Sequence, residues 1–370
     1  MPSIFLLGGH APSLVKFRGH IIKRLVEGGW EVSAAAPDMD NEVAAGLREY
    51  GAIPIRVGFN RVGLNPIKDF VSLIKLIIVL RSRRYDYFLG YTIKPVIFGS
   101  TAAWFAKVTN IYSLITGLGY AFVGRSLRQC LVRVIVKILY RLSLQCCDGV
   151  MFQNGDDLDE FKRLRLVNKQ RVTIINGSGV DLKWYKYTGL PVVPVNFLMI
   201  ARLYREKGVL EFVNAARYVK RRYPNVRFRL VGEADCNPNS FDIAEVKRWE
   251  ESGLIEYFPH SRDVREHIIW SRVFVLPSYR EGVPRSVLEA MAMGRPIITC
   301  NSPGCRETVI DGENGYLVQA QNEIALALVM IKMILEPERH VQMGISSRNY
   351  AELKFDVEKV TKKMLEFMVV

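Results

Sequence analysis

Cysteine is scarce in this 370-residue chain, and its spacing matches neither a disulfide framework nor a zinc site. No two cysteines form a C-x-x-C pair, and no histidine stands near one at zinc-ligand spacing. We therefore expect reduced thiols in a cytosolic protein. The six cysteines are Cys130, Cys146, Cys147, Cys236, Cys300 and Cys305.

Long hydrophobic runs are also missing. The longest, such as residues 76–80 and 96–105, are broken by charged, polar or glycine residues well short of the roughly 20 that a membrane-spanning helix needs. The N-terminal segment MPSIFLLGGHAP carries no charged leader and no A-x-A-like cleavage site. These absences predict a protein without a spanning helix or a secretion signal.

Acidic residues are few where basic ones concentrate. The net charge is +14, and residues 50–147 hold fourteen Lys and Arg but only Asp69 and Asp86. A nucleic-acid-binding protein would interleave such cations with aromatic stacking groups. Residues 126–144 interleave Arg with Leu, Val and Ile instead, so we do not expect nucleic acid as a partner.

Strand-like apolar runs alternate with helical patterns along the whole chain, which predicts an α/β protein with two parallel-sheet domains. The pattern lapses at residues 187–195, where Pro191 and Pro194 fall, so we expect domains at 1–190 and 191–352 and a final amphipathic helix within 353–370. The predicted strands are 3–7, 30–36, 85–89, 111–115, 150–153 and 172–175, then 196–201, 226–231, 272–276, 296–299 and 316–318.

Residues 277–298 have the pattern of a ligand site. A polar loop follows the apolar run 273–276, and a helix then starts near Pro284 and closes at Gly294. Ligands of open α/β sheets bind beyond the carboxyl ends of the strands, where helix N-termini attract phosphate. Glu281 in the loop and Glu289 in the helix are the candidate ligand-contacting carboxylates.

The two glutamates lie inside EGVPRSVLEAMA, and GRPIITC follows. This stretch resembles the acidic signature of the retaining family 4 glycosyltransferases of the GT-B fold. The resemblance implies two Rossmann-like domains that face each other across a cleft, the first for the acceptor and the second for a nucleotide sugar. It also implies a last helix that crosses back to the first domain, and sugar transfer from a nucleotide diphosphate sugar.

The segment 200–208 resembles the Arg and Lys pair of this family. Arg202 and Lys207 are then expected beside the diphosphate, where fixed cations stabilise the charge that grows on the leaving group. Arg205, between them, is expected to be a solvated cation. All three roles are implied by the resemblance.

The same resemblance assigns roles to the acidic stretch. Glu289 should hold the ribose hydroxyls, and the backbone N–H groups of Gly282 and Val283 should meet the phosphates. Glu281 should lie near the transferred sugar, either as a nucleophile or as an orienting and electrostatic group. A front-face mechanism, in which the leaving phosphate acts as the base, is what the family suggests.

Two glycine turns and a basic loop supply the candidates of the first half. Gly8 and Gly9 are either a tight turn or a close approach to substrate, and His10 follows them. Many family members carry a histidine in a loop that reads YTIKP here; Ile93 takes that position, and Lys94 is the alternative cation. The candidate substrate-binding residues of this half are Gly9, His10, Arg18, Lys94, Gly117 and Gly119.

Asp38-Met39-Asp40 invites interpretation as a metal-binding DxD motif. Acidic turns after a strand are common, and the nucleotide-type signals lie elsewhere, so we do not assign a metal there. The sequence predicts a metal-independent enzyme without a cofactor.

Shorter motifs narrow the resemblance. YTIKP, ITGLGYAF and FRGHII at 17–22 are similar to those of bacterial enzymes that build capsule, O-antigen or N-glycan precursors on polyprenyl diphosphate. This implies a UDP-hexose or UDP-N-acetylhexosamine donor, with N-acetylgalactosamine favoured, and a polyprenyl-diphosphate-linked saccharide acceptor. The alternative is a GT-B UDP-sugar epimerase or hydrolase, which would consume UDP-sugar without an acceptor.

Basic amphipathic helices are predicted at 66–84 and 126–144. Each either packs on the sheet with a solvated basic face or binds an anionic membrane surface. Two such helices in one quarter of the chain favour the membrane. We expect a peripheral protein on the cytoplasmic face of the inner membrane.

Overall fold

The computed structural model describes residues 1–59, 66–118, 127–192, 194–234, 239–259, 261 and 263–369, with the side chains of 127–130 excepted. The chain divides into two units. The first comprises Met1–Ser178 with Glu358–Val370, and the second comprises Gly179–Val357.

A seven-stranded parallel sheet forms the centre of the first unit, in the order β3-β2-β1-β4-β5-β6-β7. Its inner strands are mostly apolar and almost entirely buried because helices cover both faces of a parallel sheet. The strands are β1 (Ser3–Leu7), β2 (Glu31–Ala36), β3 (Ile53–Arg56), β4 (Tyr87–Tyr91), β5 (Asn110–Ile115), β6 (Gly149–Phe152) and β7 (Arg171–Ile174).

Helices flank this sheet. A π-helical turn, Pro95–Gly99, leads directly into the fourth of them. The last helix belongs with the first unit, where the Tyr112 hydroxyl donates to the Met368 carbonyl at 2.8 Å. The helices are α1 (Pro12–Glu27), α2 (Asn41–Glu49), α3 (Pro66–Arg83), α4 (Ser100–Phe105), α5 (Leu127–Leu144), α6 (Gly155–Arg163) and α13 (Val357–Met368).

The second unit contains a six-stranded parallel sheet in the order β10-β9-β8-β11-β12-β13. Phe197 of β8 stacks on Phe228 of β9 with ring centroids 5.2 Å apart, within the core beneath α7. The strands are β8 (Phe197–Ile200), β9 (Phe228–Val231), β10 (Glu256–Phe258), β11 (Val273–Leu276), β12 (Ile297–Cys300) and β13 (Gly315–Val318). The helices are α7 (Val209–Lys220), α8 (Ile243–Glu251), α9 (Arg265–Trp270), α10 (Arg285–Ala292), α11 (Glu323–Leu335) and α12 (Arg339–Tyr350).

The division between the units falls at Ser178, twelve residues before the boundary predicted after residue 190. Residues 179–190 bond within the second unit: the Val180 N–H donates to the Phe355 carbonyl at 2.8 Å, and Arg295 Nη1 donates to the Thr188 carbonyl at 2.8 Å. The lapse of periodicity therefore marks an irregular segment that is anchored to the second sheet. Likewise, the final helix begins at Val357, because Ala351–Phe355 forms a π-helical turn that belongs to the second unit.

Both sheets have a point where the strand order reverses direction along the chain. It lies between β1 and β4 in the first unit and between β8 and β11 in the second. Such switch points open a crevice at the carboxyl ends of the strands. Among the helices in the described ranges, none combines the length and hydropathy that a bilayer crossing requires. Cys146, Cys147, Cys300 and Cys305 are free thiols.

Candidate active site

The loops after β8, β11 and β12 are bonded to one another at the switch point of the second sheet. The Ser278 hydroxyl donates to the Glu206 carbonyl at 3.0 Å, and the Tyr279 N–H donates to the same carbonyl at 2.9 Å. The Ser302 hydroxyl donates to the Ser278 carbonyl at 2.9 Å. These bonds hold three loops, each carrying predicted site residues or their neighbours, in one fixed arrangement.

Lys207 and Glu281 form an ion pair across two of these loops. The Lys207 Nζ contacts Glu281 Oε1, with 21% of the lysine side chain and 13% of the glutamate side chain exposed. Gly208, which ends the Lys207 turn, has a φ of 76°, and a Cβ placed there would lie 2.2 Å from the Pro277 carbonyl oxygen. Only glycine allows the turn to approach the β11 loop this closely.

Arg202 lies immediately beyond β8 and is held by Tyr204. Its Nη1 donates to the Tyr204 hydroxyl at 3.0 Å, and its guanidinium lies 4.6 Å from the centroid of that ring. Arg205 lies over a different ring, 5.1 Å from the centroid of Phe241, and is exposed. The two arginines of this segment therefore have separate surroundings.

Glu289 projects from α10 and is oriented through one of its carboxylate oxygens. Its Oε1 accepts from the Tyr185 hydroxyl and from Arg285 Nε, both at 3.0 Å. Burial, together with the Glu289 charge, raises the pKa of Tyr185, so the phenol stays protonated and donates. Within the described part of the chain, Glu289 Oε2 has no hydrogen-bond partner.

The N-terminus of α10 faces the same loops. Pro284, predicted in the first turn, is the N-cap residue, and no acidic side chain occupies the first turn. A helix end of this kind carries a partial positive charge. The Glu281 N–H donates to the Pro303 carbonyl at 3.0 Å, which fixes the backbone just before Gly282 and Val283. Arg202 and Lys207 therefore lie on a loop that is bonded to the loop leading into this helix N-terminus, a combination of charges that suits an anion.

The switch point of the first unit carries Gly9 and His10, directly after β1. His10 Nδ1 contacts Asp38 Oδ2, and Asp38 Oδ1 accepts from the Ala11 N–H at 2.7 Å. Burial alone would raise the pKa of Asp38, but the hydrogen bonds from Ala11 and His10 outweigh it and hold that pKa below its ordinary value. Asp38 thus orients His10.

Asp40, the second aspartate of the DxD segment, caps α2 by accepting from the Val43 N–H at 2.8 Å. Both aspartates of this segment therefore bond to other groups of the protein. In the described ranges, no cluster of three or more His, Cys, Asp or Glu side chains is placed to hold a metal ion.

The remaining candidates of the first unit are spread over several elements. Arg18 is buried in α1 with its guanidinium 5.0 Å from the centroid of the Tyr91 ring. Lys94 pairs with the buried Asp69 at 2.7 Å, so a carboxylate of the protein already balances the charge of its ammonium group. Gly117 follows β5 with a φ of 122°, and Gly119 lies outside the described residues.

Sequence reasoning missed three residues at these sites. Tyr185 orients Glu289, Asp38 orients His10, and Asp69 binds Lys94. The partners are 104, 28 and 25 positions apart, respectively, and nothing in the local pattern joins them. Of the three pairings, only that of Asp38 with His10 had a signal in the sequence. Asp38 follows β2 and His10 follows β1, and these two strands are neighbours in the sheet.

Residues 194–336 match the family model described as glycosyl transferases group 1. The chain is 30% identical to the N,N'-diacetylbacillosaminyl-diphospho-undecaprenol alpha-1,3-N-acetylgalactosaminyltransferase of Campylobacter jejuni, over 96% of this chain and 95% of that protein. It is 25% identical to the Escherichia coli UDP-Gal:alpha-D-GlcNAc-diphosphoundecaprenol alpha-1,3-galactosyltransferase, over 82% of this chain and 80% of that one.

The fold is similar to that of solved structures. The crystal structure of Anabaena HepE in complex with UDP superposes with a TM-score of 0.78 at 16% identity, covering 99% of each chain. The predicted pair of parallel-sheet α/β domains is confirmed by the two sheets and by this similarity. The chain therefore belongs to the group 1 glycosyltransferases and is a hexosyltransferase with the GT-B fold.

Proposed function

We propose that the protein transfers a hexose or N-acetylhexosamine, with retention of anomeric configuration, from a UDP-sugar to a polyprenyl-diphosphate-linked saccharide. The observation that carries this proposal is the Lys207–Glu281 pair at the β8/β11 switch point, with Arg202 at the end of β8. Two cations and one carboxylate lie beyond the carboxyl ends of central strands, where α/β sheets commonly bind ligands, and this supports the proposal.

The leaving group is the centre of the proposed chemistry. The bond between the anomeric carbon and the diphosphate oxygen breaks, and the electron pair stays on the diphosphate. Arg202 and Lys207 bind that growing charge, and Lys207 keeps two of its three N–H donors for phosphate after pairing with Glu281. The acceptor hydroxyl attacks the same face of the sugar and gives its proton to the departing phosphate oxygen.

The rest of the donor extends along α10. The N–H groups at its N-terminus bind phosphate oxygens, and Glu289 Oε2 accepts from the ribose hydroxyls while Oε1 stays bonded to Tyr185 and Arg285. Because protein cations neutralise the leaving group in this scheme, the reaction needs no divalent metal.

The two named relatives support the choice of acceptor and donor. The names of both the Campylobacter jejuni and the Escherichia coli protein specify a saccharide on diphospho-undecaprenol, so a polyprenyl-diphosphate-linked acceptor is common to them. Their donor sugars differ. N-Acetylgalactosamine is favoured because the N-acetylgalactosaminyltransferase is the more similar of the two over a larger share of the chain.

A lipid-linked acceptor fits a surface of the first unit that we name the apolar ridge. Its large apolar side chains are exposed on α3, α4 and α5, of which α4 contacts the other two. The ridge comprises Ile67, Phe70, Val71, Ile74, Ile78, Trp104, Phe105, Leu131, Val134, Ile135, Ile138 and Leu142.

Cations lie on the same three helices, and the described parts of these helices carry no exposed acid. The sole acidic residue of the three helices is Asp69, which is buried and paired with Lys94. Apolar side chains among cations suit an anionic lipid surface, to which each nearby Lys or Arg adds about 1 kcal/mol of attraction. We propose peripheral binding to the cytoplasmic leaflet of the inner membrane. The described cations of these helices are Lys68, Lys75, Arg81, Arg83, Arg133, Lys137 and Arg141.

The chemistry is tested with a panel of UDP-sugars, a polyprenyl-diphosphate-linked amino sugar as acceptor, and EDTA. We expect metal-independent, acceptor-dependent transfer that Glu281→Ala abolishes and Arg205→Gln preserves. UDP-sugar consumption without an acceptor would support the epimerase or hydrolase alternative. Loss of turnover in EDTA would contradict the metal-independent scheme.

The membrane part is tested by cosedimentation with vesicles of phosphatidylglycerol or phosphatidylcholine. We expect binding to the anionic vesicles that falls strongly in the double variant Trp104→Ser/Ile138→Ser. The matched control is Ile324→Ser/Leu328→Ser on α11, whose side chains are 49% and 54% exposed outside the ridge. Equal loss in both double variants would contradict the assignment of the ridge to lipid.

A further inference from the structure

Thr92, the residue after β4, has a strained backbone at the switch point of the first unit. Its φ is 70°, and it is the one β-branched residue with positive φ in the described part of the chain. Arg84, Lys107 and Arg165 share positive φ, but each follows the end of a helix, where a left-handed residue is common. Strain of this kind, with no turn to require it, persists where the surroundings enforce it and is typical of ligand sites.

The β1 loop is what Thr92 contacts. A Cβ placed on Gly9 would lie 2.6 Å from Thr92 Oγ1, so the two loops meet with no room for a larger residue. The Thr92 carbonyl accepts from the Val96 N–H at 3.0 Å, which ties the strained residue to the following π-helical turn. The crevice at the β1/β4 switch point is therefore rigidly built from both sides.

His10 is the side chain that this loop presents. Its backbone carbonyl accepts from the Ser13 hydroxyl at 2.5 Å, and Ser13 also bonds the buried Tyr91 hydroxyl at 2.9 Å. Burial raises the pKa of Tyr91 to about 12, so its hydroxyl remains a neutral hydrogen-bonding group. Yet 42% of the His10 side chain is exposed. A side chain whose backbone is anchored by buried partners, and whose ring contacts Asp38 while open to solvent, is preorganised for a ligand.

Asp38 determines which nitrogen of His10 is available. The low pKa of Asp38 keeps it ionised, and an ionised carboxylate only accepts hydrogen bonds. The proton must therefore be on His10 Nδ1, which leaves the lone pair of a neutral ring on Nε2. The bond from the Ala11 N–H to Asp38 Oδ1 prevents the carboxylate from turning away.

We propose that His10 Nε2 accepts a hydrogen bond from a substrate sugar hydroxyl, with Asp38 as the positioning residue that holds the ring in this tautomer. That the ligand is a sugar rests on the proposed function. The hydroxyl belongs either to the donor sugar or to the acceptor sugar, and kinetic constants for the two substrates distinguish these sources.

The kinetic test compares His10→Ala, His10→Gln and Asp38→Asn with His20→Gln. His20 is the matched control because it is 38% exposed and lies 3.9 Å from a carboxylate, that of Glu358, away from the switch point. We expect His10→Ala to lower kcat/KM about 10-fold, the effect of one lost hydrogen bond. His10→Gln, whose amide oxygen can accept, should recover part of that loss.

The substrate whose KM rises identifies the source of the hydroxyl. If the KM for the acceptor rises alone, and hydrolysis of the UDP-sugar without acceptor is unchanged, the hydroxyl belongs to the acceptor sugar. If the KM for the UDP-sugar rises and its hydrolysis slows, the hydroxyl belongs to the donor sugar. If His10→Ala matches His20→Gln in every constant, the hydrogen bond to sugar is wrong.

The tautomer is measured without relying on turnover. In protein labelled with nitrogen-15 histidine, we expect the His10 signals of an Nδ1–H imidazole, replaced by an Nε2–H imidazole or a mixture in Asp38→Asn. An Nε2–H tautomer in the wild type would overturn the role of Asp38. Absence of any sugar transfer by the wild type would instead count against the proposed function, while the tautomer result still decides the role of Asp38.

Discussion

The Lys207 ammonium and the Glu281 carboxylate contact each other although 74 positions separate them in the chain. The contact joins the loop after β8 to the loop after β11, and both side chains are mostly buried. Charges in such surroundings are paired because an unpaired one would cost several kcal/mol. The pair thus couples the position of the cation to that of the carboxylate.

The first prediction concerns this cation. Lys207→Met removes a donor to the leaving diphosphate, and we expect kcat to fall by about 10²- to 10³-fold, as for the loss of one preorganised donor. Arg205→Met is the matched control, since Arg205 lies in the same turn but over Phe241. Steady-state kinetics of both variants tests this prediction. Comparable losses of kcat in the two variants would contradict the role of Lys207 at the leaving diphosphate.

The second prediction concerns Gly304, which follows β12 with a φ of 76°. A Cβ placed there would lie 2.3 Å from the carbonyl oxygens of both Glu281 and Gly282. Gly312 has a φ of 80° and open space around the same position. Alanine at either site costs about 1 kcal/mol of backbone strain, but only Gly304→Ala should displace the Glu281 loop.

We therefore expect Gly304→Ala to lose more stability to denaturant than Gly312→Ala, and Gly304→Ala alone to lose transferase activity by more than about 10-fold. The comparison separates loop displacement from strain because the backbone conformation is nearly the same at the two sites. Wild-type activity in Gly304→Ala would show that the Glu281 loop tolerates movement.

The third prediction concerns the tyrosine that orients Glu289. Tyr185→Phe removes one of the two hydrogen bonds to Glu289 Oε1, and a bond to a charged group is worth about 1.5–3 kcal/mol. We expect roughly 10-fold weaker binding of UDP by calorimetry. Tyr187→Phe, at an exposed tyrosine two positions away, should bind UDP like the wild type. Unchanged affinity in Tyr185→Phe would mean that Arg285 alone orients the carboxylate.

The central strands were predictable because both of their faces are buried, whereas two of the four edge strands were missed. Phe197–Ile200 and Val273–Leu276 are apolar throughout, as central parallel strands require. The two missed edge strands are Ile53–Arg56 and Glu256–Phe258, which have four and three residues, are only partly buried and each include a charged residue. Their sequence carries too few apolar residues to stand out from a loop.

The motif residues were predictable, and the partners that orient them were not. The loop and helix positions of Glu281 and Glu289 follow from local punctuation by proline and glycine. The pairing of Lys94 with Asp69 depends on how α3 packs beside the β4 loop, which the local pattern does not specify. The expectation that Lys94 supplies a cation to substrate did not include this buried carboxylate.

The last prediction concerns stability against pH. His340 in α12 is fully buried and accepts a hydrogen bond from Arg272 Nε at 3.0 Å through Nδ1. Burial, with the Arg272 charge as a second cause, lowers the pKa of His340 to about 4. In the unfolded chain its pKa is about 6.5, so between these values the unfolded state binds the extra proton.

This contribution to stability is fully present above about pH 6.5 and is lost as pH falls toward 4, because protons then favour the unfolded chain. Between pH 7 and pH 5 the loss from one such group is about 2 kcal/mol. Denaturant unfolding of wild type and His340→Gln at both pH values measures it. We expect the free energy of unfolding of the wild type to fall by about that much more than that of the variant. The reason is that glutamine can still accept a hydrogen bond from Arg272 but does not titrate. Equal losses would mean that His340 gains its proton in the folded protein as readily as in the unfolded chain.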